Sequence, residues 1–145
     1  MTIPDTADVQ FVPQSGKFYL DSLVDPSGVP TSVLDIDLGF TVSGRLELPS
    51  FLTGTGLVRL FADELGGPID QRIGATTVAI TGAASPNDPG SKVYNWTISV
   101  ASNALPDPSP DSSLYRLGLA FVFQNPAGGH TDIGAFFDLG TFLIV

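Results

Sequence analysis

The chain has 145 residues, no cysteine, and a formal net charge of −9 from 15 acidic and 6 basic residues. That length fits a single domain, residues 1–145, which buries roughly 68–70% of its unfolded surface and needs no covalent staple. The missing thiols exclude disulfides and thiolate metal sites, and the negative charge argues against nucleic acid and anionic membrane, both of which need a positive field.

The opening MTIPDTADVQ has neither a basic segment nor an apolar stretch, so no signal peptide is visible. No apolar run approaches the ~20 residues of a membrane helix, so no membrane insertion is expected. Localisation stays open, with cytoplasmic synthesis or association with a particle the expectation. Only 14% of the residues are charged and 43% are apolar, against a usual charged share of about 25%. Mean hydropathy is +0.26. Little polar material is available to cover the surface, which points to an apolar face buried in an assembly or against a ligand.

In chain order, VQFV (9–12) and KFYLDSLV (17–24) read as weak strands. VLDIDLGFTVSGRLEL (33–48) alternates strictly, with Leu34, Ile36, Leu38, Phe40, Val42, Leu46 and Leu48 on one face. It reads as one long half-buried strand, bent at Gly39 or Gly44. Further strands are expected over 56–65, over 75–82 with Val78 and Ile80 inward, and over 92–101 with Tyr94, Trp96, Ile98 and Val100 inward. The last two run over 113–124 and 133–145. No window carries a helical period. About seven or eight short strands separated by Gly/Pro turns indicate an all-β protein, an antiparallel β-sandwich with an immunoglobulin-like Greek-key topology favoured. Tyr115, just after a Pro/Asp/Ser corner, is either a corner tyrosine bonded backward to the backbone or a core aromatic with its hydroxyl at the rim.

Catalytic chemistry is thinly represented, and no catalytic residue is assigned. His130 is the single histidine, no G-x-S-x-G elbow selects a serine, and a loop histidine is ordinarily solvated. GTGLVR (54–59) fails as a phosphate fingerprint because Arg59 occupies the third glycine position and no helix follows. Asp63 and Glu64 are adjacent on a strand, so they point to opposite faces and make no acid/base pair. NWT (95–97) is formally a glycosylation acceptor but lies mid-strand. No cofactor is expected. The one metal candidate is calcium at Asp107 and Asp111, which share a loop, with Asp21/Asp25 and Asp35/Asp37 as further acidic pairs. Turn chemistry accounts equally for those acids. Phe136, Phe142, Tyr19 and Phe18 are candidates for a carbohydrate platform.

The end of the chain is the informative part. On 113–124, Tyr115, Leu117, Leu119, Phe121 and Phe123 form one side. On 133–145, Ile133, Ala135, Phe137, Leu139, Leu143 and Val145 do. These are the expected core faces. The opposite sides also lack polar cover, with Leu114, Gly118, Ala120 and Val122 broken by Arg116, and Gly134, Phe136, Phe142 and Ile144 broken by Asp138. Such a face exceeds what a monomer ordinarily leaves in water. Either the N-terminal segment with Phe11, Phe18, Tyr19 and Leu20 covers it, or a protein partner does, first of all another copy of the chain. With a single charge and no lysine or proline to guard it, 133–145 is expected to be central in its sheet or covered at its edge. The expected function is a non-enzymatic structural or assembly module acting through Leu114, Ala120, Val122, Phe136, Phe142 and Ile144. The alternative is a calcium- or carbohydrate-binding domain with its sites in the loops.

Overall fold

In a computed structural model, the structure describes residues 6–10, 15–26, 33–82, 90–105 and 113–145. They form nine strands: β1 (Thr6–Gln10), β2 (Ser15–Val24), β3 (Val33–Leu34), β4 (Phe40–Pro49), β5 (Gly54–Glu64), β6 (Asp70–Ile80), β7 (Ser91–Val100), β8 (Ser113–Gln124) and β9 (His130–Ile144). The all-β class is as expected, and no helix occurs among the described residues. Two sheets result, ordered β1-β2-β4-β7 and β3-β9-β8-β5-β6. Every pairing is antiparallel except β3 with β9. The second sheet curls into a half-barrel.

Period-two alternation sends one face of each strand to a shared core. Phe18, Val42, Leu46, Trp96 and Ile98 come from the first sheet, and Val58, Leu60, Leu117, Leu119 and Phe121 from the second. Phe18 joins the two layers, with its ring centroid 5.5 Å from that of Trp96 and 5.9 Å from that of Phe121. The neighbouring edges also approach one another, β6 beside β7 and β1 beside β9.

The expected long strand 33–48 is two strands in different sheets. After β3 the chain turns through Asp35–Leu38, where the Asp35 carboxylate accepts the Asp37 N–H at 2.9 Å. Ile36 N–H donates to the Val145 carbonyl, and Asn103 N–H donates to the Ile36 carbonyl. These backbone bonds hold Ile36 in the core while Leu38, expected inward, is 61% exposed. The alternation was real in sequence, but a turn stabilised by an aspartate side chain overrode it.

β9 corrects the face assignment of the last strand. Leu117 pairs with Gly140 and Gly118 with Asp138, so Leu139 is an extra residue in β9. Gly140 has φ 95°, a conformation a side chain resists, and its N–H donates to the Asp138 carboxylate at 2.8 Å. The bulge flips the phase of everything after it. Phe142 and Ile144, expected on the outer face, are fully buried, while Leu143 and Val145 turn outward. Phe142→Ala should therefore cost about 3–5 kcal/mol in urea unfolding, and Leu143→Ala at most about 1 kcal/mol. The reverse order would mean that the bulge is not where this register puts it.

Candidate functional site

The outer faces of the two sheets differ in chemistry. On the first sheet, cross-strand rows read Lys17–Glu47–Val93, Tyr19–Arg45–Asn95, Ser22–Ser43–Thr97 and Val24–Thr41–Ser99. Polar groups there bond one another: the Tyr19 hydroxyl donates to Glu47 at 3.1 Å, and Arg45 forks onto Asp21 at 2.9–3.2 Å while lying over the Tyr19 ring. That is a solvated face.

The outer face of the second sheet is built in five rows across its strands. From one end they are Leu114–Leu143–Val33, Asp70–Asp63–Arg116–Thr141, Arg72–Phe61–Gly118–Asp138, Ala75–Arg59–Ala120–Phe136, and Thr77–Leu57–Val122–Gly134. The first and last rows are uncharged, and the three between them carry the charges. Phe136 is 62% exposed and Leu114 48% exposed. Gly118 is the low point of the face. A Cβ there would stand 2.7 Å from Phe136 Cζ, so the absent side chain lets that ring lie over β8. A groove of about 370 Å³ results, lined by Phe61, Gly118, Phe136, Asp63, Asp70, Arg116 and Asp138. Across it Arg116 pairs with Asp138 at 3.3 Å, whereas Asp63 and Asp70 stand directly opposite one another on β5 and β6. Like charges so placed repel, and they leave that end of the groove negative.

Four of the six expected interface residues, Leu114, Ala120, Val122 and Phe136, lie together on this face. Phe142 and Ile144 do not, because of the bulge. Gly118 was also expected on this side, whereas sequence reading passed over Phe61 and Leu57. Phe61 and Leu57 alternate out of phase with the core positions Val58, Leu60 and Ala62, which is the signal that would have found them. The N-terminal segment does not cover the face among the described residues: β1 and β2 belong to the other sheet, and Phe18 and Leu20 enter the core. Phe11 lies outside the described residues. β9 is flanked on its far side by β3, which pairs only at Leu143 and Ile144.

Of the carbohydrate candidates, Phe18 and Phe142 are core residues and Tyr19 is engaged by Glu47 and Arg45, so only Phe136 presents an open ring. Asp107 and Asp111 lie outside the described residues. Among those described, no three His, Asp or Glu side chains converge on a point. Asp21 is taken up by Arg45 and Asp35 by the turn it caps. His130 is exposed at the start of β9. No described helix is long and apolar enough to cross a membrane.

Tyr115 fits the second of its two expected roles. It is buried, and its hydroxyl donates to Glu64 at 3.0 Å, tying β8 to β5 just beside the charged row. No significant match to a protein-family model, a curated protein or a solved structure is found, so the geometry carries the functional reading.

Burial, followed by the bond to Glu64, pushes the Tyr115 phenol from 10.0 up to about 12. Below pH 10 both states hold the proton and the stabilisation is complete. Above it the unfolded chain releases a proton that the folded chain keeps, so stability falls as pH rises from 10 to about 12. Urea midpoints should decline across that window in the wild type and decline less in Tyr115→Phe. Equal slopes would show that Tyr115 does not carry the effect.

Proposed function

We propose that this domain is a non-enzymatic assembly module, a β-sandwich of immunoglobulin-like strand order that acts through the outer face of its second sheet on a protein partner, first of all another copy of itself. The strand orders support the fold part of this reading. β2-β4-β7 follows the A-B-E succession of such sandwiches and β9-β8-β5-β6 follows G-F-C-C′, with β1 added at one edge and no D counterpart among the described residues.

The observation that carries the function is the contrast between the two outer faces. One is a network of hydroxyls and ion pairs. The other leaves Phe136 and Leu114 in water, with Phe61, Leu57 and Val122 around them. Burying such a face against a protein is favourable at about 25 cal/mol per Å² of apolar area. Among the described residues no cluster of three His, Asp or Glu side chains supports hydrolase chemistry through His130, and neither nucleic acid nor a membrane suits a chain of net charge −9.

Light scattering in the micromolar range, where weak self-association registers, should return a mass above that of the monomer. Phe136→Asp should weaken association by more than about tenfold with the unfolding midpoint unchanged, and Thr97→Asp on the opposite sheet should leave it intact. A wild type that remains monomeric counts against the self-assembly reading.

The second reading is a carbohydrate in the same groove. An open Phe136 ring beside the carboxylates of Asp63, Asp70 and Asp138 favours it, since rings cover sugar faces and carboxylates accept hydroxyl protons. Saturable heat on titration with a soluble glycan, lost in Phe136→Asp, would select it over self-association.

A further inference from the structure

We infer that the outer face of β5 and β6 carries a binding site for a tetrahedral oxyanion, a phosphate or sulfate group on a small molecule, held between Arg59 and Arg72. The site lies beside the groove over Gly118 and does not depend on self-association.

Its two cations are uncommitted. Elsewhere Arg45 forks onto Asp21, Arg116 pairs with Asp138, and Lys92 donates to the Thr81 hydroxyl and the Gly82 carbonyl. Arg59 and Arg72 form no side-chain hydrogen bond and no ion pair among the described residues, although the chain has 15 acidic residues. A bulge brings the two together. Arg59 pairs with Ala75, and Arg72 lies three residues before Ala75. In a regular strand that odd step would send Arg72 to the opposite face. Leu60 pairs with Gly74 and Phe61 with Arg72, so Ile73 is the extra residue, and it is buried. Arg72 thereby emerges on the face of Arg59, diagonal to it across the ladder, with the two Cα atoms roughly 8 Å apart. Like charges so placed repel, and an anion between them offsets the cost.

The two side chains line one open hollow of about 460 Å³ with Leu57, Ala75, Thr76 and Thr77. No acid is in that lining. Asp63, Asp70 and Asp138 line the neighbouring groove with Arg116, which stands directly opposite Asp63. Arg59 is half-buried, and its cross-strand neighbours Ala75 and Ala120 offer no side-chain acceptor. Each guanidinium fork matches two oxygens. A planar carboxylate fills one fork, whereas a tetrahedral group offers oxygens to both and can also accept from the outward Thr77 hydroxyl. The net charge of −9 repels a polyanion, which leaves a single phosphate or sulfate group as the ligand.

The test is a titration of the full chain with inorganic phosphate, sulfate and acetate at constant ionic strength, followed by amide nitrogen–proton correlation spectra, which also confirm the fold of each variant. With phosphate or sulfate, resonances of β5 and β6 around Arg59 and Arg72 should move along a saturating curve with a Kd in the millimolar range. The ion that binds more tightly shows whether the source is a phosphorylated or a sulfated molecule. Acetate should bind more than about tenfold more weakly. Arg59→Gln and Arg72→Gln should each weaken binding by a similar factor, and Arg45→Gln on the opposite sheet should leave it intact. Absence of a saturating shift with either ion, acetate binding as tightly, or binding unchanged in Arg59→Gln or Arg72→Gln overturns the site.

Discussion

Which side of its sheet each apolar residue faces is the constraint on which both fold and site depend. The chain holds more apolar residues than one core can take, and strand alternation offers only two destinations. The extra residue Leu139, held between Asp138 and the left-handed Gly140, settles the division for the last strand. Before it, Phe136 points outward; after it, Phe142 and Ile144 point inward. Without the bulge, two large side chains would leave the core for water and Leu143 would take their place. At the transfer value of about 1.5–3 kcal/mol for each fully buried side chain, that exchange would remove a large part of a typical domain's stability.

The same device recurs with different consequences. In β2 an extra Asp21 swings out to meet Arg45, and in β6 an extra Ile73 lets the strand stay packed against its neighbour sheet while Arg72 comes level with Phe61. Bulges bend the strand that carries them and increase its local twist. The second sheet carries them in both β6 and β9, the long strands on either side of its β5–β8 centre, in keeping with its curl. The outer face of the second sheet therefore inherits its shape from irregularities whose first role is to keep the core filled.

Composition has a direct structural counterpart. A chain with so few charges places many of them where they satisfy one another: Arg45 with Asp21 on one sheet, Arg116 with Asp138 on the other. The second sheet also holds an aromatic groove over Gly118, with Asp63 and Asp70 in one row with Arg116 on one side of Phe61 and Arg59 on the other. In the proposed assembly role, the apolar centre would supply affinity and the charges would fix orientation, which is how specific protein contacts divide their labour.

Alternation alone made the all-β class, the core faces of β7 and β8, and the inward Val78 and Ile80 legible in the sequence, because an apolar residue at every second position has only one stable use. The apolar excess at the end of the chain was legible as well, and with it Leu114, Ala120, Val122 and Phe136. Tertiary structure alone decided three things. It split 33–48 between two sheets, since the bonds that hold Ile36 come from Val145 and Asn103, far away in sequence. It removed Phe142 and Ile144 from the outer face, since a bulge is defined by register against β8 and leaves the local pattern of β9 unchanged. It brought Phe61 from β5 beside Gly118 and Phe136, since a row across a sheet is a relation between strands, which no single strand's sequence records.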